Sequence, residues 1–185
     1  MSLCINPDCD RAKKQIDQRQ ELFCSSCGSS LLLNNIYRVL RYLGSGGFGS
    51  AYLVDDGKTR KVLKILHNTH PKAVSLFDQE ADVLQKLHHP GILRVDRGGR
   101  FDYFPKRSTK PLRCLVMEYI EGDNLADYLA KQDFQPISEP VAIDWLHELV
   151  EILDLVHGAK YFHRDIKPSN IMIRNTGKLA LRNKE

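Results

Sequence analysis

Hydrophobic and polar positions change their rhythm twice along the chain. Alternation over residues 36–43, 51–54 and 61–66 predicts three strands, parted by a glycine cluster and an Asp55-Asp56-Gly57 turn. The period then lengthens to that of a helix over roughly 72–87, stopped by His88-His89-Pro90-Gly91. Two further strands fit 100–104 and 114–119, on either side of a basic loop. Beyond Gly122 the pattern turns helical, with a short helix near 125–130 and a longer one opened by Ser138 as N-cap with Pro140 in its first turn. In the longer helix Ile143, Leu146, Leu149, Val150, Leu153 and Val156 recur at helical spacing until His157-Gly158. The last residues read as a small hairpin, 171–174 with 178–181, around Asn175-Thr176-Gly177.

The first residues do not share this pattern. Cys4, Cys9, Cys24 and Cys27 enclose a highly polar stretch from Arg11 to Glu21 that has little to bury and needs a staple in order to fold. A segment at 1–30 is therefore set apart, followed by a polar linker at 31–36. Thiolates two residues apart in a turn face one ion, and Cys24-Ser25-Ser26-Cys27-Gly28 has that spacing, while four residues separate Cys4 from Cys9. Four thiolate ligands leave no open position, so the expected ion is a structural Zn2+. Two disulfides are the competing reading, with three pairings open to four cysteines, and a reducing compartment disfavours them. Cys114, inside an apolar strand, reads as a small hydrophobe.

Composition narrows the class. With 185 residues, 42% hydrophobic and a net charge of +4, the chain is neither disordered nor fibrous and has enough apolar residues for a core. No run approaches the roughly 18 apolar residues of a spanning helix, and the first six residues lack a basic start followed by an apolar stretch, so a cytoplasmic protein with no membrane segment is expected. Positive charge is local: Arg97, Arg100, Lys106, Arg107, Lys110 and Arg113 lie against Asp102 alone, and the rest of the chain sums to −1. Without regular aromatic interleaving, that loop reads as a solvated surface, and nucleic acid is not an expected partner.

Gly44-Ser45-Gly46-Gly47-Phe48-Gly49 fits G-x-G-x-x-G between two strands, where backbone N–H groups approach phosphates closely. By itself it is equally a glycine-rich hairpin loop. A dinucleotide fingerprint is disfavoured because a β-prone segment, not a helix, follows Gly49. On the next predicted strand Lys64 shares a face with Val62 and Leu66, and in the following helix Glu80 falls on a stripe with Phe77, Ala81, Leu84 and Leu87. A carboxylate inside an apolar stripe wants a partner, and Lys64 is the natural one. The alternative leaves Lys64 snorkelling and Glu80 at a rim.

His163-Arg164-Asp165-Ile166-Lys167-Pro168-Ser169-Asn170 decides between these readings. With it the chain resembles the eukaryotic-type (Hanks-type) serine/threonine protein kinases, found also in bacteria, with Lys167 two residues after Asp165 as in the serine/threonine branch. The resemblance covers about 37–181 and is carried also by the glycine loop, Val62-Leu63-Lys64, Glu80, His89-Pro90-Gly91-Ile92 and Leu115-Val116-Met117-Glu118-Tyr119. It implies an α+β fold: a small lobe at 37–119, made of an antiparallel sheet with one helix, and a mainly helical, partial large lobe at 120–185.

It also implies that ATP binds under the glycine loop and beside Val62, with Lys64 on the α/β-phosphates, held by Glu80. Met117 would be the gatekeeper, with Glu118 and Tyr119 in the hinge. Asp165 would orient the substrate hydroxyl, Lys167 neutralise the transferred phosphate and Asn170 ligate Mg2+. The partner is a protein substrate carrying Ser or Thr. The cysteine segment resembles the four-cysteine ribbon before some bacterial kinases and implies a protein partner for it.

Three positions depart from the pattern. Val62 stands where alanine is usual, Lys160 where glycine is frequent, and after Leu181 the sequence reads Arg182-Asn183-Lys184-Glu185 instead of the D-F-G whose aspartate is the principal Mg2+ ligand. The resemblance thus implies a chain truncated before that motif and weak or inactive alone. A non-catalytic nucleotide- or protein-binding module is the other reading.

Overall fold

The computed structural model describes residues 2–12, 21–46 and 49–182. They fall into two compact units, one within Met1–Phe77 and Val95–Tyr119, the other within Asp78–Arg94 and Ile120–Lys184. The fold is α+β, with a small-lobe-like antiparallel sheet in the first unit and helices with a small hairpin in the second.

The sheet of the first unit has strands β1 (Leu32–Leu33), β2 (Tyr37–Ser45), β3 (Gly49–Asp55), β4 (Arg60–Leu66), β5 (Val95–Tyr103) and β6 (Leu112–Glu118). Their order is β1-β2-β3-β4-β6-β5, with every neighbouring pair antiparallel. Rows run straight across the middle strands: Ala51, Lys64 and Leu115 form one, and Leu53, Val62 and Met117 another. Alternation sends Tyr52, Leu63, Ile65, Cys114 and Val116 to the opposite face. There they join Leu3, Ile5, Leu33, Tyr37, Val39 and Val54 in one apolar cluster. The cysteine segment thus supplies part of the sheet's own core.

Two segments differ from expectation. The join at 31–36 carries β1, because Leu31 and Leu33 are each only 1% exposed and β1 adds to the edge of β2. β5 begins at Val95, well before residue 100, since a bulge between Val95 and Arg100 lets a polar, glycine-containing stretch stay on the ladder. Asp96 in that stretch accepts from Tyr37 Oη at 2.8 Å and Lys61 Nζ at 2.8 Å, joining β2, β4 and β5.

Helix α1 (Pro71–Lys86) buries Ala73, Phe77, Ala81 and Leu84 at helical spacing. In the second unit, Asn124 caps α2 (Leu125–Lys131), its side chain accepting from Asp127 N. Helix α3 (Glu139–Gly158) follows Ser138. Its apolar stripe is split: Ile152 and Val156 are buried, while Ile143, Leu146 and Val150 are 48, 60 and 57% exposed. Strands β7 (Ile171–Ile173) and β8 (Leu179–Leu181) form the expected hairpin. Among the described residues no helix is long and apolar enough to cross a membrane.

Candidate functional site

In the first unit, the glycine-loop residues that lie within the described chain are Gly44, Ser45, Gly46 and Gly49; Gly47 and Phe48 lie outside it. Gly46 N donates to Gly49 O at 3.0 Å, closing the turn between β2 and β3. A Cβ at Gly49 would sit 1.9 Å from Ile65 O, so only glycine allows β3 to approach β4 there. Lys64, 8% exposed, stands in the middle row of the sheet face turned away from the cysteine segment, with Val62 and Met117 in the adjacent row. Glu118 pairs with Lys61 across β4 and β6, and Tyr119 follows directly. One sheet face therefore presents a buried lysine among Ala51, Leu53, Leu115 and Met117: a cation framed by apolar side chains.

In the second unit, α3 ends in a Schellman motif. Lys160 N donates to His157 O at 2.8 Å and Tyr161 N to Val156 O at 3.2 Å, with Lys160 at φ 57°. This turn launches the 163–170 loop. Asn170, 3% exposed on a 3-10 turn (Pro168–Asn170), donates from Nδ2 to both Asp165 O and Asp165 Oδ2, at 2.9 Å each. Lys167 Nζ lies 3.1 Å from the same Oδ2. Asp165, Lys167 and Asn170 are therefore brought together, with the Lys167 ammonium and the Asn170 amide both on the carboxylate.

The loop is fastened from behind. His163 Nε2 donates to Arg182 O at 2.9 Å, Arg182 N donates to Asn170 O at 2.8 Å, and Leu181 N donates to Gly91 O at 2.9 Å. The role of His163 as a buried strut escaped the sequence reading, although its 7% exposure suits an imidazole that needs a fixed acceptor. Nearby, burial first and then the charge of Glu80 push the Tyr161 hydroxyl up to about 12. Glu80 is itself 7% exposed.

The cysteine cluster is the third site. All five cysteines are unbridged thiols. Cys4 and Cys27 Sγ are 3.6 Å apart, Cys9 and Cys24 Sγ 3.8 Å, and the four ligand atoms lie within 4.8 Å of one another. A tetrahedron with zinc–sulfur bonds of about 2.3 Å has edges of about 3.8 Å, whereas a disulfide needs about 2.05 Å. The donor set and spacing fit a tetrahedral thiolate metal.

Two turns build the cluster. Cys9 N donates to Asn6 O at 3.1 Å in one; in the other Gly28, at φ 72°, returns its N–H to Cys24 O at 2.8 Å. Burial pushes the Cys4 and Cys9 thiols up. Burial acts the same way on Cys27 but is outweighed by hydrogen bonds from Ser29, with help from Asn6, which bring it down to about 6. Ser29 Oγ accepts from Asn6 Nδ2 (3.1 Å) and Lys106 N (2.9 Å) and lies 3.2 Å from Cys27 Sγ. Asn6 and Ser29, each 1% exposed, were not singled out in the sequence. Their only signal is nearness to the cysteines.

Residues 37–182 match the family model described as protein kinase domain. The chain is 35% identical over 187 aligned positions to serine/threonine-protein kinase B of Synechocystis sp., covering 95% of this chain and 30% of that protein. It is 36% identical over 208 positions to serine/threonine-protein kinase F of the same organism, covering 97% of this chain and 40% of the relative. Against the probable serine/threonine-protein kinase YbdM of Bacillus subtilis the identity is 34% over 165 positions, covering 86% and 60%. The chain thus spans less than half the length of both Synechocystis relatives, and those two alignments extend past the matched domain into the cysteine segment. Family-model match, motif order and the Asp165–Lys167–Asn170 geometry agree, and the chain belongs to the protein kinase family.

Proposed function

We propose that this protein transfers the terminal phosphoryl group of ATP to serine or threonine hydroxyls of a protein substrate in the cytoplasm. The observation that carries this reading is the Asp165–Lys167–Asn170 constellation. Asp165 is the residue proposed to orient the hydroxyl and accept its proton as the oxygen attacks phosphorus, with Lys167 offsetting charge on the transferred group. Because Asn170 Nδ2 is committed to Asp165, its Oδ1 is the atom offered to Mg2+. Mg2+, when bound, would supply charge neutralisation on the phosphates, and Lys64 is proposed to add its positive charge to that task. The backbone of Gly44, Ser45, Gly46 and Gly49 is proposed to cover the phosphates, and Val62, Met117, Glu118 and Tyr119 to frame the adenine. Phosphorylation of a serine- and threonine-rich acceptor tests the reading. Asp165→Asn is expected to lower the rate by about 10²- to 10⁴-fold, and an unchanged rate overturns the assignment.

The cysteine cluster is proposed to hold one structural Zn2+ on Cys4, Cys9, Cys24 and Cys27. Its fit rests on the sulfur spacing and on the thiolate favoured at Cys27. Metal analysis of reduced protein is expected to give one zinc per chain, lost in Cys24→Ala/Cys27→Ala. Reduced protein without zinc rejects the assignment.

A further inference from the structure

The sheet face turned away from Lys64 is roofed by the cysteine segment, and the fastening is two-sided. On one side Leu3 and Ile5, flanking Cys4, join the apolar cluster of Val39, Tyr52, Leu63 and Val116. Leu3 N donates to Val39 O at 2.9 Å, and Arg38 Nη1 to Ser2 Oγ at 2.9 Å, so this half is stitched to β2. On the other side, the residues after Cys27, together with Asn6, are stitched to the end of β5 and the β5–β6 connection. Tyr103 Oη donates to Ser30 O at 2.9 Å, Lys106 N to Ser29 Oγ at 2.9 Å, and Asn6 Nδ2 to Lys106 O at 3.2 Å.

Residues 2–12 have no regular helix or strand, only isolated bridges, to keep them in place. Ordering such a segment costs roughly 1–2 kcal/mol of backbone entropy per residue, which one edge of apolar contact does not offset by itself. A metal held by thiolates from both halves does so, because its binding free energy is expressed as folding free energy.

We propose that the cysteine cluster is a metal-dependent brace for the rear of the nucleotide-side sheet, so that metal occupancy and nucleotide affinity are thermodynamically coupled. The proposal rests on the zinc and nucleotide readings above and adds the link between them. Losing the metal releases Leu3 and Ile5, uncovers Tyr52, Leu63 and Val116, and loosens the strands β3 and β4 that hold Lys64 in its row. Coupling between two sites is reciprocal, so nucleotide must also tighten metal binding by the same factor.

The test uses the whole protein, stripped of metal by a chelator under reducing conditions and then restored with Zn2+. Amide hydrogen exchange of β2, β3 and β4 is followed together with the dissociation constant of a non-hydrolysable ATP analogue with Mg2+. The brace predicts slower exchange in these strands on adding zinc, and analogue affinity raised within the roughly 5- to 150-fold span of coupled sites. Leu3→Ala/Ile5→Ala keeps all four cysteines. It is expected to retain one zinc per chain while the coupling factor falls towards one.

Stoichiometric zinc with unchanged exchange and affinity overturns the brace and leaves the zinc reading standing. Full coupling in the double variant also overturns it. If no zinc binds, the metal reading fails and the brace with it. If the analogue binds in neither state, the nucleotide reading fails, and the proposed coupling with it.

Discussion

Lys160 shows how a departure from a family pattern becomes a physical statement. It occupies the left-handed position of the α3 Schellman motif at φ 57°, a conformation that costs a residue with a Cβ roughly 1–2 kcal/mol. Its side chain is exposed. Lys160→Gly is therefore expected to stabilise the protein by about 1 kcal/mol, read as a raised urea midpoint with nucleotide affinity unchanged. Gly49 is the converse case: with Ile65 O only 1.9 Å from an added Cβ, Gly49→Ala must push β3 off β4. An overpacking cost of about 1–3 kcal/mol and weaker binding of an ATP analogue are expected, checked by urea unfolding and a binding titration. Both positions were visible in the sequence as a departure and as a motif glycine. Asn6 and Ser29 were not, because their partners include Lys106, separated by 100 and 77 residues, and no local period encodes such pairs.

At the level of elements, alternation and helical spacing found β2, β3, β4, β6 and both long helices to within a few residues, because each buries a face with its own period. They missed β1, which is two residues long and is strand only by pairing with β2, and the first half of β5, which is polar and bulged. What holds that half of β5 is Asp96, the shared acceptor of Tyr37 and Lys61. Asp96→Ala leaves a buried hydroxyl and a half-buried ammonium without this acceptor, so a loss of about 1–3 kcal/mol is expected in urea unfolding at constant zinc. Tyr37→Phe, which removes only the hydroxyl, should cost less. A larger loss in Tyr37→Phe than in Asp96→Ala would contradict the assignment of Asp96 as the hub.

Across the whole molecule, charge and exposure have separate consequences. Burial raises the hydroxyls of Tyr37, Tyr52, Tyr103 and Tyr161 above their ordinary value of 10. The native state therefore holds these protons more tightly than the unfolded chain; stability is full below pH 10 and falls as pH rises beyond it. Urea midpoints measured from about pH 9 to 11 should decline, less steeply in Tyr37→Phe. The exposed stripe of Ile143, Leu146 and Val150 is a patch that favours self-association, so Leu146→Lys/Val150→Lys should reduce light scattering of the 185-residue chain while zinc content stays the same. Global organisation was legible where one motif sequence spans it, from the glycine loop to Asn170. The roofing of the sheet by Leu3 and Ile5 was not, since two apolar residues in a polar segment do not announce what they cover. The clamp on the 163–170 loop also sets an order of events during synthesis. Asp165 and Asn170 leave the ribosome before the residue that fastens them, because Asn170 O and His163 wait for Arg182. At translation rates of about 5–20 residues per second, a nascent chain carries the motif for up to a few seconds before it acquires the residue that fastens it.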